Sequence, residues 1–453
     1  MKPLVMKFGG TSVRSHEQRE RAARRVCEAK AKGFDPVVVV SAMGRKGEPY
    51  ATDTLIALAE EIDPDIAPRE KDMLMACGEI ISTVIMAHMI RHIGGLRTVA
   101  LTGGQAGIIT DRNFGSARII EIQPDRLLRS LREGSVPVVA GFQGVAQIPE
   151  DQHEHGSITT LGRGGSDTTA SALGAAVKAV EVQIFSDVPG IMTADPRMVP
   201  EARTLRTITY EEICEMAHQG ARVLHPRSAE IAMDYGIPLR VLPTMGDSEG
   251  TLIVREPSIT REREHGVTGI TNSPPVVPLS MAIADAESKP AIEYHVLSRV
   301  AEADVSVYLT SDTPKSVNFV VSRECLDRAV AALDGVQVPT SLRDDAPNAS
   351  EKSLRVVTDI PDEEPAAADS PIYVRVHGDC SIVSVIGRGL RRVPGIMARV
   401  SEALEQSGIR ILQVAGSDNS ISCLISYAHV EQAVKHLHSK FHLHELSAEA
   451  TID

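Results

Sequence analysis

The sequence predicts an α/β chain: a three-layer domain on a mainly parallel sheet, followed by smaller α+β units of βαββαβ order. Three observations predict it. Short, continuously apolar runs such as Pro36-Val37-Val38-Val39-Val40 alternate with helical stretches, the mark of strands buried on both faces by crossover helices. The composition shifts after Arg255, where Arg261-Glu262-Arg263-Glu264 and the patch Pro274-Pro275…Pro278 interrupt that alternation. Beyond the break, a shorter strand–helix pattern occurs twice at low internal similarity.

Taken in order, Leu4–Phe8 reads as a short strand that runs into Gly9-Gly10-Thr11-Ser12. The next helix carries its own start and stop, a capping box of Ser15 with Gln18 and a terminating Gly33. Further strands are expected at Leu96–Leu101, Val136–Ala140, Val182–Phe185 and Leu239–Leu242, closing this domain near Val254. In the later part, strands at Val267–Thr271, Leu279–Ala284, Val305–Leu309 and Val317–Val321 accompany helices at Ala291–Ala303 and Cys325–Leu333. A second set follows, with strands at Ile372–Val376, Ser381–Ile386, Ile409–Val414 and Ser420–Ser426 and helices at Gly395–Gln406 and Val430–Phe441. Between the sets, Arg343–Pro371 reads as an acidic, Pro-containing linker, although Leu354–Val357 inside it could be a strand of the first set. The expected boundaries are therefore 1–255, 265–342, 343–370 for the linker, and 371–446.

Composition narrows the function. Hydrophobic residues make up 43% of the 453, so sizeable cores can form, but aromatics are 3% and Trp is absent. That argues against stacking platforms for single-stranded nucleic acid. A formal net charge of -13 repels phosphate backbones and anionic membranes, so no nucleic-acid or membrane partner is expected. Anionic substrates must then be held by local cations and backbone amides. The six cysteines are dispersed without a Cys-x-x-Cys pair, which fits reduced thiols in a cytoplasmic protein. No signal peptide is read at the N-terminus, and the most apolar helix candidate, Ile80–Ile90, is too short to span a bilayer.

Three clusters can carry chemistry: Lys7-Phe8-Gly9-Gly10-Thr11-Ser12, Gly162-Arg163-Gly164-Gly165-Ser166-Asp167, and Ser186-Asp187-Val188-Pro189-Gly190 through Arg197. Each follows a strand or strand-like edge, and ligands in open α/β sheets bind at the carboxyl ends of strands. Paired glycines let backbone N–H groups approach phosphate oxygens, and the helix-like run Thr168–Ala179 would point its N-terminus at an anion. Lys7 and Arg163 add full charges, while Asp167 and Asp187 can orient a lysine or act through metal-bound water. Singly, each cluster is an ordinary turn, and His225-Pro226 reads as a helix end rather than a ligand. Three such turns with cations in one domain are not explained that way. There is no P-loop pattern, no Gly-x-Gly-x-x-Gly opening a strand–helix unit, and no Gly-x-Ser-x-Gly elbow.

In this order the clusters resemble the amino-acid kinase family, and within it the aspartokinases. Lys7 to Ser12 is similar to the family's N-terminal signature, and Thr160 to Asp167 to its most specific motif. Ser186 to Arg197 resembles its nucleotide segment, and Gly220-Ala221-Arg222-Val223-Leu224-His225-Pro226 a fourth motif. The resemblance implies catalytic roles for Lys7 on the transferring phosphoryl group and for Asp167 in orienting that lysine. It implies an aspartate-binding set of Ser41, Thr52, Glu79, Arg163 and Ser166, with Arg163 on the α-carboxylate and Glu79 on the α-ammonium. ATP contacts are implied for Lys7, Phe8, Gly9, Gly10, Ser186, Asp187, Met192, Thr193, Ala194, Asp195, Pro196, Arg197 and Arg222, with Mg²⁺ carried by the ATP. Met192 stands where many members have Tyr, and Arg222 where many have Lys. Gly387–Val400 and Gly408–Ile411 resemble the second ACT unit of aspartokinases, whereas no Asp-x-Pro-Gly precedes the helix at Ala291 in the first. The resemblance further implies a homodimer through ACT domains and feedback by an amino acid: diaminopimelate, as in the bacillar aspartokinase I type the sequence looks closest to, or lysine or threonine.

The residue set suits that chemistry. Aspartate's side chain has a pKa of about 3.9 and is ionised at neutral pH, so phosphorylating it needs no general base. The difficulty is bringing an anion to a polyanion, which calls for cations, glycine turns and positioning. Two alternatives stand beside this reading: a kinase for glutamate, acetylglutamate or UMP, which the Gly-Arg-Gly-Gly-Ser-Asp turn and the ACT tail oppose, and a non-catalytic amino-acid sensor, which retention of Lys7, Arg163 and Asp167 opposes.

Overall fold

The computed structural model describes residues 1–147, 156–221, 223–255, 266–283, 287–341, 351–358 and 371–445. They form two compact units, one of the described residues within 1–193, 202–255 and 445, the other of those within 194–201 and 266–444.

The first unit follows the predicted alternation. Strand β1 (Pro3–Phe8) leads into helix α1 (His16–Ala31), whose Ser15 and Gln18 form the expected reciprocal cap. Then come β2 (Asp35–Val40), α2 (Thr52–Glu60), α3 (Pro68–Gly94) and β3 (Thr98–Leu101). After these lie β4 (Ile108–Thr110), β5 (Ile119–Ile122), α4 (Asp125–Arg132), β6 (Val136–Ala140), β7 (Gln143–Ala146) and β8 (Ile158–Thr160). The unit continues with α5 (Gly165–Val177), β9 (Glu181–Ser186), β10 (Thr207–Thr209), α6 (Tyr210–His218), α7 (Pro226–Tyr235), β11 (Leu239–Pro243) and β12 (Thr251–Val254). The main sheet runs β10-β12-β11-β9-β1-β2-β6-β3 and is parallel except between β11 and β12.

Side-chain alternation on β1 creates the layers. Leu4, Met6 and Phe8 enter one core with Ala22, Ala23 and Val26 of α1 and Met86 and Ile90 of α3. Lys7, one residue out of phase, faces the opposite layer and meets Asp167 of α5. A second sheet, β5-β4-β7-β8, is absent from the sequence reading; its strands are three or four residues long, too short to show a period. Helix α3 also corrects an expectation. The apolar stretch at Ile80–Ile90 is the middle of a 27-residue helix long and apolar enough to cross a membrane. Half of its most apolar window is buried inside the protein, and it carries Asp72 and Glu79 in the interior. Its length serves the core.

The second unit contains β13 (Val267–Asn272), β14 (Val276–Ala282), α8 (Lys289–Glu302), β15 (Val307–Thr313), β16 (Ser316–Ser322) and α9 (Leu326–Leu333). It goes on through β17 (Gln337–Pro339), β18 (Glu351–Val357), β19 (Ile372–Val376), β20 (Cys380–Gly387), α10 (Ile396–Gln406), β21 (Gln413–Gly416), β22 (Ser420–Ser426) and α11 (Val430–Lys440). Most elements match the two expected sets, although the strand expected at Ile409–Val414 forms as Gln413–Gly416 and β17 was not expected, but the sets exchange strands. β13, which precedes the first set, pairs with β20 of the second. β19, which begins the second, lies between β14 and β18. The linear division at 265–342 and 371–446 is therefore not the spatial one. Ser273-Pro274-Pro275 explains part of this: Ser273 bonds to the backbone of Ile382 through its N–H and its hydroxyl, and the two prolines prevent a hairpin between β13 and β14.

The interval read as linker also holds a strand. β18 pairs parallel with β19, and Leu354 is fully buried in the core with Ile292, Val296 and Leu333. Of the two readings left open for Leu354–Val357, the strand is the one formed; the flanking acidic stretches lie outside the described residues. Leu354→Ala is expected to lower stability by about 2–5 kcal/mol in chemical denaturation; a change within about 0.5 kcal/mol, typical of surface positions, would mark the segment as a linker after all.

Candidate active site

The carboxyl ends of β1, β2 and β9 lie side by side, so the turns that follow them are neighbours. Gly9-Gly10 leaves β1, Ser41 follows β2, and Ser186-Asp187 ends β9. The backbone locks these turns together. Ser41 N–H donates to Phe8 O (3.1 Å) and Gly44 N–H to Gly10 O (3.1 Å). The Ser12 hydroxyl donates to Phe185 O (3.2 Å) and accepts from the Thr244 hydroxyl (2.6 Å). Gly10 is required by close approach: a Cβ there would lie 2.7 Å from Ala42 O and 2.8 Å from Gly44 O.

The second glycine turn joins from the other layer. Lys7 Nζ is 2.6 Å from Asp167 Oδ1, and both side chains are nearly buried. Asp167 sits in the first turn of α5, behind Gly164, which caps the helix at φ 70 with His225 packed where a Cβ would stand. His225 is the N-cap of α7, so His225-Pro226 begins a helix where the sequence reading placed a helix end; burial holds its imidazole below the usual range. The positive end of the α5 dipole and the Lys7 ammonium together favour negative charge here, although the Gly165 and Asp167 N–H groups already donate to Gly162 O and Gly164 O (3.0 Å each).

Beside this pair opens a cavity of about 410 Å³. Lys7, Ser41, Thr52, Glu79, Arg163, Ser166 and Asp167 line it, so seven residues expected from five separate stretches of sequence border one cavity. Glu79 is 3% exposed; its Oε1 accepts from Ala42 N–H (3.0 Å), and its Oε2 has no partner. Burial, opposed by backbone hydrogen bonds, pushes this carboxyl up to about 7. A buried acid with one unengaged oxygen, lining the same cavity as an arginine, is suited to a ligand that carries both charges.

The nucleotide set is less uniform. Asp187 is exposed and pairs with Arg45 (2.8 Å) at the end of β9. Met192 is half-buried and bridges to Thr204, and the buried Thr193 hydroxyl accepts from Arg203 N–H. Ala194, Asp195, Pro196 and Arg197 group with the second unit, where Arg197 pairs with Asp195. Phe8 departs from its expected role: it is fully buried and stacked on Phe185 at 4.6 Å, on the core face of β1, so only its backbone borders the turn. Arg222 lies outside the described residues.

Sequence reasoning missed Asp53, Ile56, Met75, Gly115 and Phe142, which also line the cavity. Phe142 is held at φ 68, a left-handed backbone uncommon outside glycine, and nothing in its sequence context announces this. A signal did exist on α3: Asp72 and Glu79 stand seven residues apart, on one face of an otherwise apolar stretch.

Comparison with known proteins agrees with this geometry. Residues 2–243 match the amino acid kinase family, and residues 375–439 match an ACT domain. Aspartokinase 1 of Bacillus subtilis is 39% identical over 98% of this chain and 100% of its own length. The structure of E. coli aspartokinase III in complex with aspartate and ADP, an R-state, superposes with a TM-score of 0.72 over 97% of this chain and 99% of that one, at 24% identity. The T-state structure of the same enzyme, with lysine and aspartate, gives 0.69 over 97% and 100%, also at 24% identity. At that identity the two structures speak for the fold.

The first unit thus has the fold and cleft of an amino-acid kinase, and ACT sequence follows it. The chain belongs to the aspartokinases, the ACT-containing kinases that use ATP to phosphorylate L-aspartate.

Proposed function

We propose that the cavity is where aspartate and the ATP phosphates meet, with Lys7 and Asp167 as catalytic residues. The supporting observation is the convergence of the seven expected residues on one cavity beside a buried ion pair. In this reading Arg163 grips the α-carboxylate, Glu79 Oε2 receives the α-ammonium, and Ser41, Thr52 and Ser166 surround the acceptor. Gly9, Gly10 and the α5 N-terminus lie against the phosphates, and Ser186, Asp187, Met192 and the segment through Arg197 hold the nucleoside end. An oxygen of the aspartate side chain forms a bond to the γ-phosphorus as the bond to the β-bridging oxygen breaks, giving the acyl phosphate and ADP. No proton moves. The Lys7 ammonium balances charge on the transferring group, and Asp167 holds that ammonium in place.

The glycine turn and Lys7 fit a polyphosphate: Gly9 leaves open backbone facing Lys7 Nζ, 3.4 Å from where a Cβ would be. Mg²⁺ carried on ATP would supply charge neutralisation between the phosphates. The ACT-bearing unit is proposed to bind a feedback amino acid, diaminopimelate or otherwise lysine or threonine, and to pair two chains as a homodimer; the ACT match at residues 375–439 supports a regulatory role for this unit. A cytoplasmic location accords with six free cysteines.

Three outcomes test this. Lys7→Ala is expected to lower aspartate-dependent ADP release by about 10²–10³-fold with its circular dichroism spectrum kept; retained turnover, or preference of the native enzyme for glutamate or acetylglutamate, sinks the assignment. Glu79 must be ionised to pair with an ammonium. With its carboxyl at about 7, kcat/KM for aspartate should fall about tenfold from pH 8 to pH 6. That limb should vanish in Glu79→Gln along with a raised KM; a native profile flat across this range contradicts the role. Finally, diaminopimelate should raise the thermal midpoint and inhibit the enzyme, and a response to none of the three amino acids would remove the feedback proposal.

A further inference from the structure

Asp72 lies in the second turn of α3, fully buried, and no residue of the reaction touches it. All its contacts go to other elements. Oδ2 accepts from Thr160 N–H (2.7 Å) and Gly115 N–H (3.0 Å), and Oδ1 accepts from the Thr160 hydroxyl (2.8 Å). One carboxylate therefore ties α3 to the end of β8 and to the loop that follows β4. The two tied segments also hold each other, through Ala117 N–H to Thr160 O (2.8 Å) and the close approach of Gly162 to Gly115 O.

The consequence lies two residues further on. Thr160 and Leu161 lead directly into Gly162-Arg163, where Arg163 is exposed between the half-buried Gly162 and Gly164. Seven residues along α3, on the same face, Glu79 lines the same cavity, with its Oε2 unpartnered among the described residues. The helix thus carries the anionic grip, and Asp72 fastens to that helix the turn that carries the cationic grip. An apolar side chain at position 72 would leave the Thr160 N–H and hydroxyl buried without partners and release the Gly115 N–H, on an exposed residue, from the tie.

We propose that Asp72 is a positioning residue that sets the spacing between Glu79 and Arg163, and through it the affinity for the acceptor amino acid. The inference rests on the reading of those two residues as the ammonium and carboxylate grips. Asn is predicted to be tolerated: its oxygen can accept from both backbone N–H groups, and its amide can donate to Thr160 Oγ1, whose own proton can rotate away.

Steady-state kinetics with each substrate varied in turn test it. Asp72→Ala is expected to raise KM for aspartate by about tenfold or more, from the loss of these contacts, while KM for ATP stays within about twofold. Asp72→Asn should restore KM for aspartate to within about threefold of the native value. Should Asp72→Ala fail to fold, Thr160→Val, which removes only the hydroxyl contact, decides the matter with an expected rise of about threefold in the aspartate KM alone. Equal rises in both KM values, or an unchanged aspartate KM, overturn the proposal. Arg163→Ala separates the two layers of the argument. If it leaves the aspartate KM unchanged, the grips themselves are wrong and the proposal falls with them; if it raises that KM while the Asp72 and Thr160 variants do not, positioning by Asp72 alone is wrong.

Discussion

A lysine on the central strand of a buried sheet is the constraint around which the first unit is arranged. β1 is covered on both faces, and its other side chains are apolar or aromatic. A cation there is tolerable only if paired, because an uncompensated buried charge costs several kcal/mol. Asp167 supplies the partner at 2.6 Å. That pairing draws the first turn of α5 onto the end of β1. It thereby sets the Gly162–Asp167 turn next to the end of β1. The sheet places three turns in a row, and the ion pair adds the fourth segment from the opposite layer. A site for a polyanion arises on a protein whose overall charge repels one.

The two acids of α3 show the same physics used in opposite ways. Asp72 is saturated with three donors and fixes backbone. Glu79 has one oxygen fixed by Ala42 and the other left open, and burial raises it toward neutrality. An open, desolvated carboxyl is costly unless something completes it. The amino group of an acceptor would do so, and its arrival would favour the ionised form. Stability is given up at Glu79 and recovered at Asp72, seven residues away on the same helix face.

How much of this was legible follows from where the determinants lie. The capping box at Ser15 and Gln18, the apolar run of β2 and strands such as Ile372–Val376 are local patterns, and the structure has them where the sequence put them. The side chains around the cavity were legible because motif order carries them even when each turn alone is ordinary. Phe142 and Gly115 were not, since their positions depend on backbone conformations set by Thr169 and Asp72 across the fold. Phe8 was misjudged because the motif names the residue while strand alternation decides which way its ring points, and the ring points at Phe185. Sheet β5-β4-β7-β8 escaped because three-residue strands hold no full period.

The second unit shows the limit of reading a repeat as two consecutive modules. Period and propensity locate its strands well, but strand pairing is decided by long-range register. β13 adds five residue pairs to β20, and the Ser273 hydroxyl extends that ladder by accepting from Ile382 N–H. β19 in turn completes the first half by joining Leu354 and Val374 to its core. Each half therefore contains a strand from the other's stretch of chain, and neither can close its hydrophobic layer alone. Two halves that share strands are constrained to respond to a disturbance together, which two independent beads on a linker would not be. That coupling is a property a feedback-regulated enzyme can use, and it is built from pairings that no single stretch of the sequence displays.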